Sequence, residues 1–191
     1  AICQLFMAVC DLFQSLDLPL EPWMCKDATA ICVAKIADKK FSQLAPPLLS
    51  RLCEVQLPQN ILHFAIVDVG TIKSPTPHEG LLVWAETFCR EFGGQAIGGV
   101  LKSFIGWVSK ECGSTNVKVK NAALSLIGVL HQHLGPILKA LALSAIQDGS
   151  ARSHVEKQID ANPYDPSASA SPQRKCLISN KDDANEAGSA A

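Results

Sequence analysis

Between Val117 and Leu134 the apolar residues Val119, Ala123, Leu126, Ile127, Leu130 and Leu134 recur at steps of three and four. Lys118, Lys120, Ser125 and Gln132 fall between them, and Gly135-Pro136 closes the run. A period near 3.6 puts the apolar side chains on one stripe of a helix, and a Gly-Pro pair stops it. The same period repeats down the chain, and no segment alternates with period two as a half-buried strand would. A chain patterned this way is confined to helix-on-helix architectures.

Leu81, Ala85, Phe88 and Phe92 form a second stripe, stopped by Gly93-Gly94. Thr76-Pro77-His78-Glu79 opens it, with Thr76 as the expected N-cap, Pro77 at the first helical position and Glu79 in the first turn. Further helices are predicted over Ile2 to Phe13, Pro22 to Ile36, Pro58 to Gly70, Ala96 to Glu111, Pro136 to about Gln147 and Ala151 to Asp160. Pro46 and Pro47 are expected to delay a helix that runs to about Val55. Eight or nine helices joined by short turns, with hairpins spaced by roughly 40 residues, predict an all-α, HEAT-type (armadillo-like) solenoid. In such an array the end repeats need caps, so an exposed apolar face is expected at the N-terminal end. A compact helical bundle is the other arrangement of the same helices.

The chain of 191 residues divides in two by composition. Residues 1–160 are rich in Leu, Ile, Val and Ala and form the repeat domain. Residues 161–191 are rich in Asn, Pro, Asp, Ser and Ala, have little to bury, and are predicted to be a disordered linker. The sequence opens in mid-pattern with no initiator Met and no signal peptide, as a fragment of a longer protein would. A formal net charge of −1, with both signs interspersed, argues against a general nucleic-acid-binding surface. No run approaches the ~20 apolar residues of a membrane span, so neither nucleic acid nor membrane is expected as a partner.

Eight cysteines raise the question of metal or disulfides. Cys3 and Cys10, like Cys25 and Cys32, are seven apart, the spacing of one helical face, and no CxxC occurs. Buried free thiols are the expected state. Cys112 alone among the cysteines of residues 1–160 falls off an apolar helical pattern. His131 and His133, two apart, point about 200° away from each other on a helix and cannot share a metal. His63, His78 and His154 have no ligand at local metal spacing. There is no GxSxG, HExxH or P-loop, and Gly93-Gly94 and Gly98-Gly99 follow no strand. No metal, no cofactor and no enzymatic activity are expected. Trp84 and Trp107 are assigned to the core, whereas Trp23 sits near a helix start.

The turns differ in charge. Residues 37–40, 70–76 and 113–118 each carry lysine, and the alternate turns at 57–58, 93–95 and 135–136 carry none. Alternate turns of a hairpin array emerge on one edge, so one edge is predicted to hold a lysine ridge.

These residues resemble a family. The stretch from Gly113-Ser-Thr-Asn-Val-Lys-Val-Lys-Asn-Ala-Ala to Gly135-Pro136 is similar to the fifth repeat of a TOG domain, where an Asn-x-Lys-Val-Arg loop leads into an Ala-Ala-x-x-Leu-Leu-Gly helix. His78-Glu-Gly-Leu-Leu-Val-Trp84 through Gly93 resembles the helix before it, and Ala34-Lys-Ile-Ala-Asp-Lys-Lys40 resembles the third-repeat loop. Ile159-Asp-Ala-Asn-Pro-Tyr164 and Pro172-Gln-Arg174 resemble the exit helix and linker. The ordered set spans about residues 30 to 174 and points to an internal TOG domain of the ch-TOG and plant microtubule-organisation proteins. The resemblance implies intra-repeat loops that grip αβ-tubulin at microtubule plus ends, and a home in the cytoplasm on microtubules and spindle poles. Carried over by position, the tubulin contacts are Asp38, Lys39 and Lys40, then Lys73, then Asn116, Val117, Lys118 and Lys120. There are departures: the first-repeat loop and the second-repeat loop have no counterpart here, Lys120 stands where Arg is common, and the last repeat matches poorly. A HEAT-repeat scaffold that captures a peptide in its groove, or a spacer without tubulin affinity, fits the same helices.

Overall fold

The computed structural model describes residues 2–170 and 173–178. Ten α-helices are found among them: α1 (Ile2–Ser15), α2 (Pro22–Lys35), α3 (Ala45–Val55), α4 (Pro58–Gly70), α5 (Pro75–Phe92), α6 (Leu101–Cys112), α7 (Val117–Leu134), α8 (Pro136–Ala145), α9 (Gly149–Ala161) and the short α10 (Pro166–Ala170). No strand occurs among the described residues. Helices α2, α4, α6 and α8 pack side by side in one layer, while α1 with α3 and α5 with α7 and α9 form the other. The hairpins α2–α3, α4–α5, α6–α7 and α8–α9 each contribute one helix to each layer, and each stacks on its neighbours, as expected for a HEAT-type solenoid.

Prolines set many of the helix starts. Pro22, Pro58, Pro75 and Pro136 each open a helix, where the missing N–H has no intrahelical partner to lose. Pro46 and Pro47 do not delay α3; they lie inside its first turn for the same reason. Helix α5 begins at Pro75 after Ser74, two residues before the expected start, and Thr76 is no cap.

The segment expected as one helix from Ala96 to Glu111 is broken. Gly94–Val100 forms 3₁₀ turns, with Gly98 at φ 51°, ψ −136°, a conformation essentially reserved for glycine. The Gly99 N–H donates to Gln59 Oε1 at 2.8 Å, which ties the break to α4.

The core runs without interruption between the layers. Trp84, Phe88 and Phe104 are fully buried, Trp107 is buried at 8% exposure, and ring centroids of Trp84 and Phe88 lie 5.5 Å apart. The Trp84 Nε1–H donates to Ser50 Oγ at 3.3 Å, joining α5 to α3. Each such aromatic contributes about 2–3 kcal/mol by its burial alone.

Cys3, Cys10, Cys25, Cys32, Cys53, Cys89 and Cys112 are buried and free, so Cys112 also belongs to the core, against the expectation from its pattern. Burial pushes the Cys25 and Cys112 thiols up to about 12 and the Cys10 thiol up to about 11, which disfavours the nucleophilic thiolate at these three positions. Ile2, Leu5 and Leu12 on α1 and Leu16 just after it stay exposed, as does Trp23 at 64%. The apolar face expected at the N-terminal end is therefore present.

Residues 161–178 depart from the expected free linker. Where described, they run back across the C-terminal ends of α7, α5 and α3. Residues 171–172 and 179–191 of the predicted linker lie outside the described residues.

Candidate functional site

The lysine-bearing segments lie where α2 joins α3, α4 joins α5 and α6 joins α7, with Lys118 in the first turn of α7, so each sits at a link between the two layers within a hairpin. Contacts place them in a row. A Cβ on Gly80, in α5, would come within 3.0 Å of Ile36 Cγ2, which seats the start of α5 against the first turn. His78 Nε2–H donates to the Ile72 carbonyl at 2.8 Å, and its Nδ1 lies 3.0 Å from Glu111 Oε1 at the end of α6. His78 thus ties the second turn to the third. No local signal in the sequence announces this pair, because Glu111 lies 33 positions from His78. Lys73, His78, Glu111, Ser114, Thr115 and Asn116 line a cleft of about 440 Å³ between these turns.

The eight sequence-assigned residues divide by what their side chains do. Asp38 shapes the first turn: its Oδ1 accepts the Lys40 N–H at 2.9 Å, and its carbonyl accepts from Phe41 and Ser42. Lys35 Nζ stands 6.0 Å from the Phe41 ring centroid and adds a cation–π contact. Asn116 is the N-cap of α7, its Oδ1 accepting from Lys118 N at 3.0 Å and Val119 N at 3.3 Å. These two oxygens are committed to the backbone. Lys39, Lys40, Lys73, Val117 and Lys118 are exposed, and Val117 is 68% accessible. Lys120 is half-buried one turn into α7. The edge therefore presents four exposed ammonium groups and one apolar side chain on turns held by their own residues.

The opposite edge is different. Its turns, residues 56–57, Gly93 and Gly135, carry no lysine. The carbonyls left over at its helix ends are met by distant chain: Asp165 N–H donates to Gln132 O at 3.0 Å, Gln173 and Arg174 N–H to Glu91 O at 2.8 and 3.1 Å, and Leu177 N–H to Glu54 O at 2.9 Å. Arg174 also pairs with Glu54 Oε1 at 2.8 Å and Glu91 Oε2 at 3.0 Å. Glu54 is buried and is shared with Arg51, which reaches on to Asp11. Among the described residues no cluster of His, Cys, Asp or Glu is arranged to hold a metal, and no helix is long and apolar enough to cross a membrane.

Layered hairpins of this kind with one edge of lysine turns define an all-α HEAT-type repeat domain. The fold is similar to that of the solved Drosophila melanogaster Mini spindles TOG3, with a TM-score of 0.69 and 22% sequence identity over 86% of this chain and 70% of that one. At that identity the likeness is one of fold. No protein-family model matches the chain.

Proposed function

We propose that this domain is a non-catalytic tubulin-binding module of TOG type, which meets αβ-tubulin with its lysine edge and serves microtubule growth at plus ends and in the spindle. The observation that carries this reading is the lining-up of exposed Lys39 and Lys40 on one turn, Lys73 on the next and Lys118 in the first turn of α7, while the back-edge turns carry no lysine. Ammonium groups on short, self-capped turns suit an acidic protein surface, where they orient the encounter and raise its rate. Val117, exposed beside Lys118, supplies an apolar contact that charge alone does not. Asp38 and Asn116 act by holding the turns, and half-buried Lys120 adds its charge one helical turn behind Val117. A cytoplasmic, microtubule-bound location follows from the same reading.

Co-migration with αβ-tubulin at low salt is the test, because exposed charge pairs are screened over about 10 Å at 0.1 M salt. Lys118→Glu with Lys120→Glu should abolish co-migration, and equal binding by that variant would overturn the assignment. The exposed stripe of Leu5, Leu12 and Leu16 with Trp23 favours a second reading, a scaffold that docks an apolar helix or peptide. Binding that survives lysine reversal but is lost in Leu5→Ser or Trp23→Ser would select it.

A further inference from the structure

Helix ends leave carbonyls without intrahelical partners, and a neighbouring N–H can satisfy them. In this molecule residues 162–165 and 173–177 do so for three helices in turn: α7 at Gln132, α5 at Glu91 and α3 at Glu54. Side chains secure the same path. His131 Nδ1 lies 2.6 Å from the Asn162 carbonyl, and the Tyr164 ring covers Gly135 so closely that a Cβ there would sit 2.9 Å from it. Arg174 places one cation at two helix C-termini, against two carboxylates, where the helix dipoles also favour it. Cys176 and Leu177 pack on the core.

The helices capped in this way are the three whose N-termini carry the lysine turns. Helix α3 begins after residues 36–44, α5 after 71–74 and α7 after 113–116. Helices are stiff over this length, so fixing one end constrains the other. The constraint matters most between α3 and α5, which are only sparsely packed against each other, in contrast to α5 and α7. Arg174 joins that pair directly.

We propose that the C-terminal segment is a displaceable clamp, which locks α3, α5 and α7 in register at the back edge and thereby aligns the lysine turns at the front edge. Residues 173–178 form no helix or strand, and Arg174 is one-third exposed, so the contact belongs to the part of the molecule that opens most readily. The clamp stands independently of which partner the lysine edge takes.

Cys176 reports docking in the full chain. Its thiol is pushed up to about 11, by burial and then by Glu54, so the docked form alkylates slowly. Arg174→Glu should speed iodoacetamide labelling of Cys176, read by peptide mass spectrometry, by about tenfold or more as the thiol returns toward its ordinary pKa near 8.5. Hydrogen exchange in residues 37–44 and 71–74 should rise in the same variant, with the helical circular dichroism unchanged. Glu91→Arg added to Arg174→Glu should move both readouts back toward wild type. If Arg174→Glu fails to fold, Arg174→Gln gives the same readouts with smaller changes. Cys176 labelling that is as fast in the wild type as in the variant would show that nothing is clamped. Freed Cys176 with unchanged exchange in the lysine turns would overturn the alignment.

Discussion

The front edge closes its turns with residues from the turns themselves, Asp38 for one and Asn116 for another. The back edge closes its helix ends with residues far along the chain, Asp165, Gln173, Arg174 and Leu177. Local capping takes up two short polar side chains and leaves the lysines free to meet a partner. Capping from a distance uses the charge of Arg174 internally, on Glu54 and Glu91. The same structural demand, unpaired groups at helix ends, is met in a way that exposes chemistry on one edge and consumes it on the other.

The comparison can be broken by mutation, and the back edge should yield the larger effects on stability. Gly135 has φ 61°, ψ −140°, and Tyr164 fills the space a Cβ would need. Gly135→Ala should cost about 2–3 kcal/mol, combining backbone strain with the displaced ring, as a lower urea midpoint. Glu54→Gln leaves Arg174 with Glu91 alone and Arg51 with Asp11, and should cost about 2 kcal/mol in the same assay. On the front edge the largest loss should come from a cap: Asn116→Ala should cost about 1 kcal/mol, and Asn116→Asp should keep most of it. Lys39→Glu and Lys73→Glu should stay within about 0.5 kcal/mol of wild type in stability while weakening tubulin co-migration. A lysine change that destabilises as much as Gly135→Ala would erase the distinction between the edges.

His133 gives the back edge a pH signature. It is buried near the end of α7, and its pKa is held below the ordinary 6.5, first by burial and then by Arg90, with Asp165 pulling the other way. The unfolded chain therefore binds more protons here as pH falls below 6.5. Its contribution to stability is present in full above that value and is lost as pH falls through the lowered one. Urea midpoints at pH 7.5 and 5.5 should differ less in His133→Gln than in wild type.

Much of the fold was legible because its signals are local. The stripe of α7, its Gly135-Pro136 stop and the α4 span Pro58–Gly70 coincide with what periodicity and breakers predict. The core positions of Trp84 and of the paired cysteines are equally readable from spacing. Errors arose where a local rule had two solutions. Ser74-Pro75 and Thr76-Pro77 both look like a helix start, and the helix takes the first, with Ser74 extended at φ −70°, ψ 135° as its N-cap. Gly98-Gly99 is compatible with a helix until Gln59, 40 residues earlier, claims the Gly99 N–H. For the front edge, residue types and turn positions were legible, but the His78–Glu111 tie between turns was not.

What the sequence alone determined is α1–α5 and α7–α9 in outline, their Gly and Pro breakers, and the lysines placed before α3, before α5 and at the start of α7, since each depends on residues within one or two turns of helix. What only the tertiary structure decided is how the segment after α9 is used. A composition of Asn, Pro, Ser and Ala has no stripe to bury, so by local rules it reads as linker. Once α3, α5 and α7 are stacked, their C-terminal carbonyls and the carboxylates of Glu54 and Glu91 stand along one edge. Only that assembled edge offers Arg174 partners 120 and 83 positions away.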